Sequence, residues 1–205
     1  MRNRGRVSVP RHPNNTLPVE LPTVFRRTDA RAAGVTDRRL KRLTESGIIE
    51  KIDHGLYQRA DASVGDLTLI DAALLDREAT LCLASALSHA DLIDEIPPSI
   101  DLALKRGTRK PKTSLPITWH WFAVDTFGIG RVPGQRAGLP IAWYTAERSI
   151  CDEYRMRHLQ GPELGREALK NWLRRPGAHP ATLLEVASHF PKALVAIRRD
   201  LEVLL

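Results

Sequence analysis

The sequence predicts an α+β protein: an N-terminal winged helix-turn-helix followed by a mixed α/β C-terminal domain with a small sheet and C-terminal helices. Two short helices and a hairpin, each punctuated by glycine, follow one another within the first 60 residues. Apolar residues then alternate in several short segments, as in strands, and recur at helical spacing near the end of the chain. We expect a disordered basic tail over residues 1–16, the winged helix-turn-helix over residues 17–62 and the C-terminal domain over residues 66–205.

The composition is that of an ordinary globular protein. Of the 205 residues, 42% are hydrophobic and 27% are charged, which excludes collagenous, low-complexity and wholly disordered chains. No apolar run approaches the roughly 18 to 20 residues that a membrane span requires, so we expect a cytoplasmic protein without a membrane partner. Cys82 and Cys151 both lie in apolar, helix-like segments, which favours buried reduced thiols over a disulfide.

The net charge of +7 is concentrated at one end of the chain. Residues 1–60 contain 13 Lys and Arg against 6 Asp and Glu, whereas the remaining 145 residues contain 18 of each. A local basic surface attracts a polyanion more strongly than the same charge spread evenly, so this asymmetry favours nucleic-acid binding by the first segment. Four of the positive charges belong to the predicted tail: Arg2, Arg4, Arg6 and Arg11.

Two predicted helices follow the tail. The first begins at the N-cap Thr28, runs from Asp29 to Ala33 and ends at Gly34. The second begins at the N-cap Thr36 and ends at Gly47. Two short helices joined at a glycine are typical of a helix-turn-helix.

The second helix is predicted to be amphipathic. Leu40 and Leu43 lie three residues apart and form its buried stripe, which leaves an arginine-rich exposed face. The N-terminal part of such a helix enters the major groove of DNA. The candidate contacts on this helix are Thr36, Arg38, Arg39 and Arg42.

A predicted hairpin comes directly after this helix. Residues 48–52 and 56–59 form its strands around a turn that contains a glycine, which is the position of a wing. We expect Lys51, His54 and Arg59 on this wing to touch the DNA backbone or the minor groove.

The segment TVFRRTDARAAGVTDRRLKRLTESGIIEKIDHGLYQRAD resembles the N-terminal winged helix of the AbiEi antitoxins of type IV toxin–antitoxin systems. Later blocks are similar in kind and order to the C-terminal domain of that family: ATLCLASALSHADL, PPSIDLALKRGTRKPK, GLPIAWYTAERSICDEYRMRH and EALKNWLRR. The resemblance implies a transcriptional repressor that binds double-stranded DNA repeats at its own promoter. It also implies a cognate nucleotidyltransferase-type toxin, neutralised directly or indirectly.

One stretch departs from the family pattern. A full helix usually opens such a winged helix, but LPVELPTVF contains Pro18 and Pro22, which disfavour a long helix there. We expect either a single supporting turn or a head that depends on the C-terminal domain for stability.

The C-terminal domain is predicted from periodicity and caps. Residues 66–94 have helical spacing, and alternating apolar residues predict strands over 100–104, 117–121 and 141–143. Thr145, Pro162 and Pro180 are each expected to begin a helix. The tryptophans at positions 119, 121, 143 and 172 all fall on periodic positions, and we interpret them as core residues.

A basic loop, KRGTRKPK, separates the first two predicted strands and is expected to be a solvated hairpin loop. Its five positive charges could instead contact DNA phosphate or an acidic patch on a protein partner. They belong to Lys105, Arg106, Arg109, Lys110 and Lys112. Together with a helix that carries Arg148, Arg155 and Arg157, this loop is the predicted surface for toxin neutralisation.

No catalytic motif is evident, so we expect no enzyme, no cofactor and no metal. The segment from Asp101 to Lys105 resembles a nuclease metal motif, but Ala103 stands where the second carboxylate belongs. Ser85 and His89 lie four apart on a predicted helix and are interpreted as a hydrogen-bonded polar pair. Two alternatives stay open: a metal-dependent nuclease guided by the winged helix, and a protein-interaction module without DNA binding.

Overall fold

The computed structural model of the chain describes residues 16–61, 67–136 and 139–205. The chain divides into two compact units, Met1–Gly65 and Asp66–Leu205. All of the predicted basic tail except Thr16 lies outside the described residues. Within the described residues, no helix is both long enough and apolar enough to cross a membrane.

The N-terminal unit combines two short helices with a three-stranded antiparallel sheet. The order of the strands in the sheet is β1-β3-β2. The predicted order of helix, turn, helix and hairpin is confirmed, and one short strand precedes it. The elements are β1 (Val24–Arg26), α1 (Arg27–Ala32), α2 (Asp37–Glu45), β2 (Ile49–Asp53) and β3 (Leu56–Arg59).

The helix boundaries in this unit follow local capping chemistry. The side chain of Thr36 accepts a 3.3 Å hydrogen bond from the backbone N–H of Arg39, so the predicted N-cap of α2 is confirmed. The prediction of Thr28 as the first N-cap is wrong. α1 begins two residues earlier because the carboxylate of Asp29 accepts a 2.8 Å hydrogen bond from the backbone N–H of Arg26.

The stretch before α1 forms no long helix and contains a turn, in which the backbone N–H of Leu21 donates a 3.3 Å hydrogen bond to the carbonyl of Pro18. Residues 24–26 form β1, which pairs with β3 and places Phe25 opposite Tyr57. The two rings lie with centroids 6.0 Å apart. Val24 and Phe25 of this strand are buried. The core of the unit comprises Leu21, Phe25, Ala30, Val35, Leu40, Leu43 and Ile49.

The C-terminal unit contains a mixed five-stranded sheet with the order β6-β5-β4-β8-β7. Its first half comprises α3 (Leu67–Leu75), β4 (Thr80–Leu81), α4 (Leu83–His89), β5 (Ile100–Lys105), β6 (Ile117–Phe122), α5 (Val124–Phe127), β7 (Arg131–Arg136) and β8 (Leu139–Tyr144). Four helices follow: α6 (Ala146–Gln160), α7 (Glu163–Leu173), α8 (Pro180–Ser188) and α9 (Pro191–Leu204). The α+β class is therefore confirmed.

Non-local pairing corrects two predictions for this unit and adds one strand. The helical pattern of residues 66–94 is interrupted by β4, which lies at the centre of the sheet between β5 and β8. A further strand, β7, pairs with β8 and was not predicted. The basic loop is not a hairpin loop, because β5 and β6 are parallel and the chain must return along the sheet between them.

The four tryptophans differ in how far they are buried. Trp119 and Trp172 are buried and Trp143 is half-buried. Trp121 on the edge strand β6 is 39% exposed, so its interpretation as a core residue is wrong. Cys82 and Cys151 are buried and free, as predicted.

Candidate nucleic-acid interface

The exposed face of α2 is basic because its apolar side chains are used in the core. Leu40 and Leu43 are buried, whereas Arg38, Lys41 and Arg42 are exposed. These three cations surround the first two turns of the helix, where the backbone N–H groups and the positive end of the dipole also lie. The arrangement suits a polyanion.

Asp37 at the start of α2 is hydrogen-bonded to two arginines of α1. Its carboxylate accepts a 2.7 Å hydrogen bond from Nε of Arg27 and a 2.5 Å hydrogen bond from Nη2 of Arg31. The hydrogen bonds from Arg27 and then from Arg31 hold the pKa of this carboxyl well below its usual range. Asp37 therefore joins the two helices and offsets part of the positive charge of α1, while Arg38 and Arg42 keep theirs.

The structure gives Arg39 a different position from its neighbours on the helix. Arg39 is half-buried, and its Nη2 donates a 2.6 Å hydrogen bond to the backbone carbonyl of Thr16. The guanidinium of Arg39 thus holds the chain at Thr16, the residue that follows the arginine-rich start of the sequence.

The three wing candidates also differ in their surroundings. Lys51 on β2 and His54 in the turn are exposed. Arg59 is half-buried, and its Nη2 donates hydrogen bonds of 2.9 Å to the carbonyl of Pro18 and 3.1 Å to that of Leu21. Arg39 and Arg59 together fix the segment 16–21 against the unit.

A groove of about 340 Å³ separates α2 from the sheet and adds residues that the sequence interpretation did not include. Lys41 lines this groove together with Lys51 and Tyr57, and Arg27 and Asp37 lie at the same groove. The signal for Lys41 was present, since it falls off the Leu40 and Leu43 stripe. The proximity of Lys41 to Lys51 depends on how the hairpin packs.

The basic loop of the C-terminal unit is exposed over most of its length. Arg106, Arg109, Lys110 and Lys112 carry its accessible charges, and Nε1 of Trp121 donates a 2.9 Å hydrogen bond to the carbonyl of Thr108. Lys105 is set apart because its Nζ pairs with Glu78 at 2.5 Å. Four of the loop cations are therefore accessible to a partner, and the fifth, Lys105, is held in an ion pair.

The predicted neutralisation surface on α6 needs correction. Arg148 is fully buried, and its Nε donates a 2.9 Å hydrogen bond to Asp152. Its guanidinium lies 4.3 Å from the ring centroid of Tyr144 and 4.5 Å from that of Phe190. Arg148 is thus a core residue, and of the three arginines only Arg157 is exposed.

The residues considered for catalysis are engaged with neighbouring residues. Asp101 is buried, and its Oδ1 lies 2.8 Å from Nε2 of His120. Its backbone N–H donates a 2.8 Å hydrogen bond to the hydroxyl of Ser85, and the ring of His89 lies 5.0 Å from that of Trp143. In the described part of the chain, no three His, Cys, Asp or Glu side chains are grouped so that they could hold a metal ion.

Comparison with known proteins gives one solved structure and one family profile. The chain is similar to the crystal structure of the Rv2827c protein from Mycobacterium tuberculosis, with 20% identity, a TM-score of 0.49 and coverage of 89% of this chain and 76% of that one. No curated protein matches the sequence. Residues 22–60 match the profile described as a transcriptional regulator, AbiEi antitoxin. The match spans α1, α2 and the hairpin, so this segment is similar to a domain of the AbiEi antitoxin family of transcriptional regulators.

Proposed function

We propose that this protein is a DNA-binding repressor that serves as the antitoxin of a type IV toxin–antitoxin system. In this role it represses its own operon and neutralises a nucleotidyltransferase-type toxin. The observation that carries the proposal is the exposed basic face of α2 within the segment that matches the family profile.

The expected contacts to DNA come from the exposed side chains of α2 and of the wing. Thr36, Arg38 and Arg42 lie on the exposed face of α2, which would enter the major groove. Arginine forms bidentate hydrogen bonds with the edge of guanine and also binds phosphate. Lys51 and His54 on the wing would contact the DNA backbone.

Arg39 and Arg59 would act indirectly. Their guanidinium groups are occupied by backbone carbonyls of the segment 16–21. We assign them the role of positioning this segment beside the DNA rather than of contacting bases.

The C-terminal unit would carry neutralisation. Its loop cations, Arg106, Arg109, Lys110 and Lys112, together with Arg157 of α6, form the proposed contact surface for the toxin. Opposite charges on two proteins accelerate their encounter and fix its register more than they set its affinity. The proposed surface therefore predicts an effect on association rate.

A titration of promoter DNA at several salt concentrations tests the first half of the proposal. A repressor binds its own promoter repeats more tightly than unrelated DNA, and its affinity falls steeply with salt as counterions are released. A parallel sample with magnesium tests the nuclease alternative. Only a nuclease would cleave the DNA in that sample. Equal affinity for unrelated DNA would contradict a specific repressor.

Co-expression with the cognate toxin tests the second half. We expect the full chain to restore growth and residues 1–62 alone to fail. Western blotting of both forms controls for expression. If the head alone rescues as well as the full chain, the C-terminal unit is not the neutralising part.

A further inference from the structure

A cavity of about 220 Å³ lies where α6, α7 and α9 meet in the C-terminal unit. Tyr154, Pro162, Gly165, Val195 and Ala196 supply its less polar lining. Four basic side chains from the three helices also line it: Arg157, Arg166, Lys192 and Arg199. This cavity belongs neither to the proposed DNA interface nor to the basic loop, and it shares Arg157 with the proposed contact surface for the toxin.

Only one of these four cations is neutralised by an acidic partner within the described residues. Asp200 accepts a 2.9 Å hydrogen bond from Nε of Arg166 and a 2.7 Å hydrogen bond from the hydroxyl of Tyr154. In the described part of the chain, Arg157, Lys192 and Arg199 form no ion pair. Three positive charges therefore surround the cavity without a bonded counter-charge among those residues.

The other acidic residue at the cavity does not offset these charges at neutral pH. Glu153 is 2% exposed. Burial, together with the nearby carboxylates of Asp101 and Asp152, raises the pKa of Glu153 to about 8. The side chain is mostly protonated at pH 7, so the cavity keeps the positive charge of its three unpaired cations.

Size and charge together define the ligand. Pockets for drug-sized molecules have volumes of about 300 to 1,000 Å³, so this cavity is too small for a whole nucleotide. It has room for about seven water molecules at roughly 30 Å³ each. The planar fork of an arginine side chain matches the oxygen atoms of a phosphate. Three cations that form no ion pair within the described residues favour a dianion over a singly charged carboxylate or phosphodiester.

We propose that this cavity is a binding site for a phosphate dianion, either inorganic phosphate or the terminal phosphate of a monoester. Arg157, Lys192 and Arg199 bind the anion directly, and Arg166 contributes while it remains paired with Asp200. This site does not depend on DNA binding by the N-terminal unit.

The spacing of residues on α9 provides a matched control. Lys192, Val195, Ala196 and Arg199 follow one another at helical intervals and line the cavity along one face of α9. Arg198 is equally exposed but does not line the cavity. A charge removed at Arg198 therefore changes the net charge of the protein without changing the site.

The test is a titration of the full chain with inorganic phosphate by calorimetry and thermal denaturation, with chloride balancing the ionic strength. We expect saturable binding and a melting temperature that rises with phosphate but not with chloride. In Lys192→Gln/Arg199→Gln the dissociation constant should increase about tenfold or more. Arg198→Gln should bind like the wild type. The single variant Arg199→Gln provides the same comparison with a smaller change.

Two outcomes overturn the proposal. One is an equal reduction of phosphate binding in Arg198→Gln and in the Lys192→Gln/Arg199→Gln variant, which would indicate general surface electrostatics. The other is a melting temperature that changes equally with phosphate and with chloride.

A 5′-phosphorylated oligonucleotide compared with its unphosphorylated form distinguishes the source of the phosphate. If only the phosphorylated form competes with inorganic phosphate, and Arg199→Gln abolishes this competition, the site also accepts the end of a nucleic acid.

Discussion

Nη2 of Arg39 lies 2.6 Å from the backbone carbonyl oxygen of Thr16, so a side chain of α2 holds the residue that follows the arginine-rich start of the chain. Arg38, its neighbour on the same helix, is exposed and is available to DNA. Two adjacent arginines on one helix therefore have different expected roles. We expect Arg39 to position a segment of the chain and Arg38 to contact the nucleic acid.

Arg39→Ala should weaken DNA binding in the full chain and have little effect in a chain that lacks residues 1–15. The reason is that its expected contribution passes through the arginine-rich residues that precede Thr16 in the sequence. The deletion itself should reduce the slope of log affinity against log salt by about one for each phosphate group that the tail neutralises. Fluorescence anisotropy with promoter DNA measures both effects. An equal weakening by Arg39→Ala in the two chains would show that Arg39 contacts DNA directly.

Arg38→Ala and Arg42→Ala should each reduce promoter affinity while the head remains folded. Removal of a bidentate hydrogen-bonded pair with guanine corresponds to about 1 to 3 kcal/mol, whereas an exposed substitution changes stability by less than about 0.5 kcal/mol. A mobility-shift titration and urea unfolding measure the two quantities. Arg198→Ala, which removes the same charge from the C-terminal unit, is the control. Unchanged affinity in Arg38→Ala/Arg42→Ala, the variant that carries both changes, would exclude α2 as the reading element.

Arg148→Met should destabilise the C-terminal unit strongly. The guanidinium is fully buried, and its Nη1 donates hydrogen bonds of 2.7 Å to the carbonyls of Thr126 and Ile129. Removal of one partner from a buried ion pair costs about 3 to 5 kcal/mol, since Asp152 is then deprived of part of its compensation. Chemical denaturation measures this free energy. Arg157→Met, an exposed substitution on the same helix, should cost less than about 0.5 kcal/mol.

Glu153 should make the protein less stable as the pH rises. The pKa of this carboxyl is raised to about 8 in the folded chain, chiefly by burial, from its usual 4.5. Between these values the unfolded chain binds fewer protons than the folded chain, so the free energy of unfolding falls with pH. The decrease is on the order of 5 kcal/mol by pH 8.

Glu153→Gln removes this titration and keeps the shape of the side chain. Urea unfolding at pH 5, 6.5 and 8 should therefore show a smaller decrease than in the wild type, with the variant more stable at pH 8. Glu167→Gln, an exposed change on α7, serves as the control and should follow the wild type. Parallel curves for Glu153→Gln and the wild type would contradict the raised pKa.

Charge reversal in the basic loop should slow toxin association. Arg109→Glu and Lys110→Glu change exposed positions that form no ion pair in the described residues. Because rim charges act mainly on the encounter, the association rate should fall more than the dissociation rate rises. Surface plasmon resonance with the cognate toxin at two salt concentrations measures both rates. Arg77→Glu, an exposed position outside the loop, is the control; an equal effect there would point to net charge alone.

The sequence by itself determined the elements whose causes are local. Thr36 accepts from a backbone N–H three residues away, and Gly34 and Gly47 adopt positive φ angles of 76° and 68° at the ends of the two helices. Leu40 and Leu43 face the core because helical geometry alone places them on one stripe. Such interactions span a few residues, so a pattern in the sequence is sufficient to predict them.

The tertiary structure decided everything that depends on pairing between distant residues. The central position of β4, the parallel pairing of β5 with β6 and the strand β1 all depend on partners far along the chain. The surroundings of Arg39, Arg59 and Arg148 were decided in the same way. An arginine fits the same helical or strand pattern whether its guanidinium faces solvent, a carbonyl 41 residues away or a buried carboxylate. Only packing determines which of these it meets, because burial and hydrogen bonding are properties of the folded neighbourhood and not of the sequence interval.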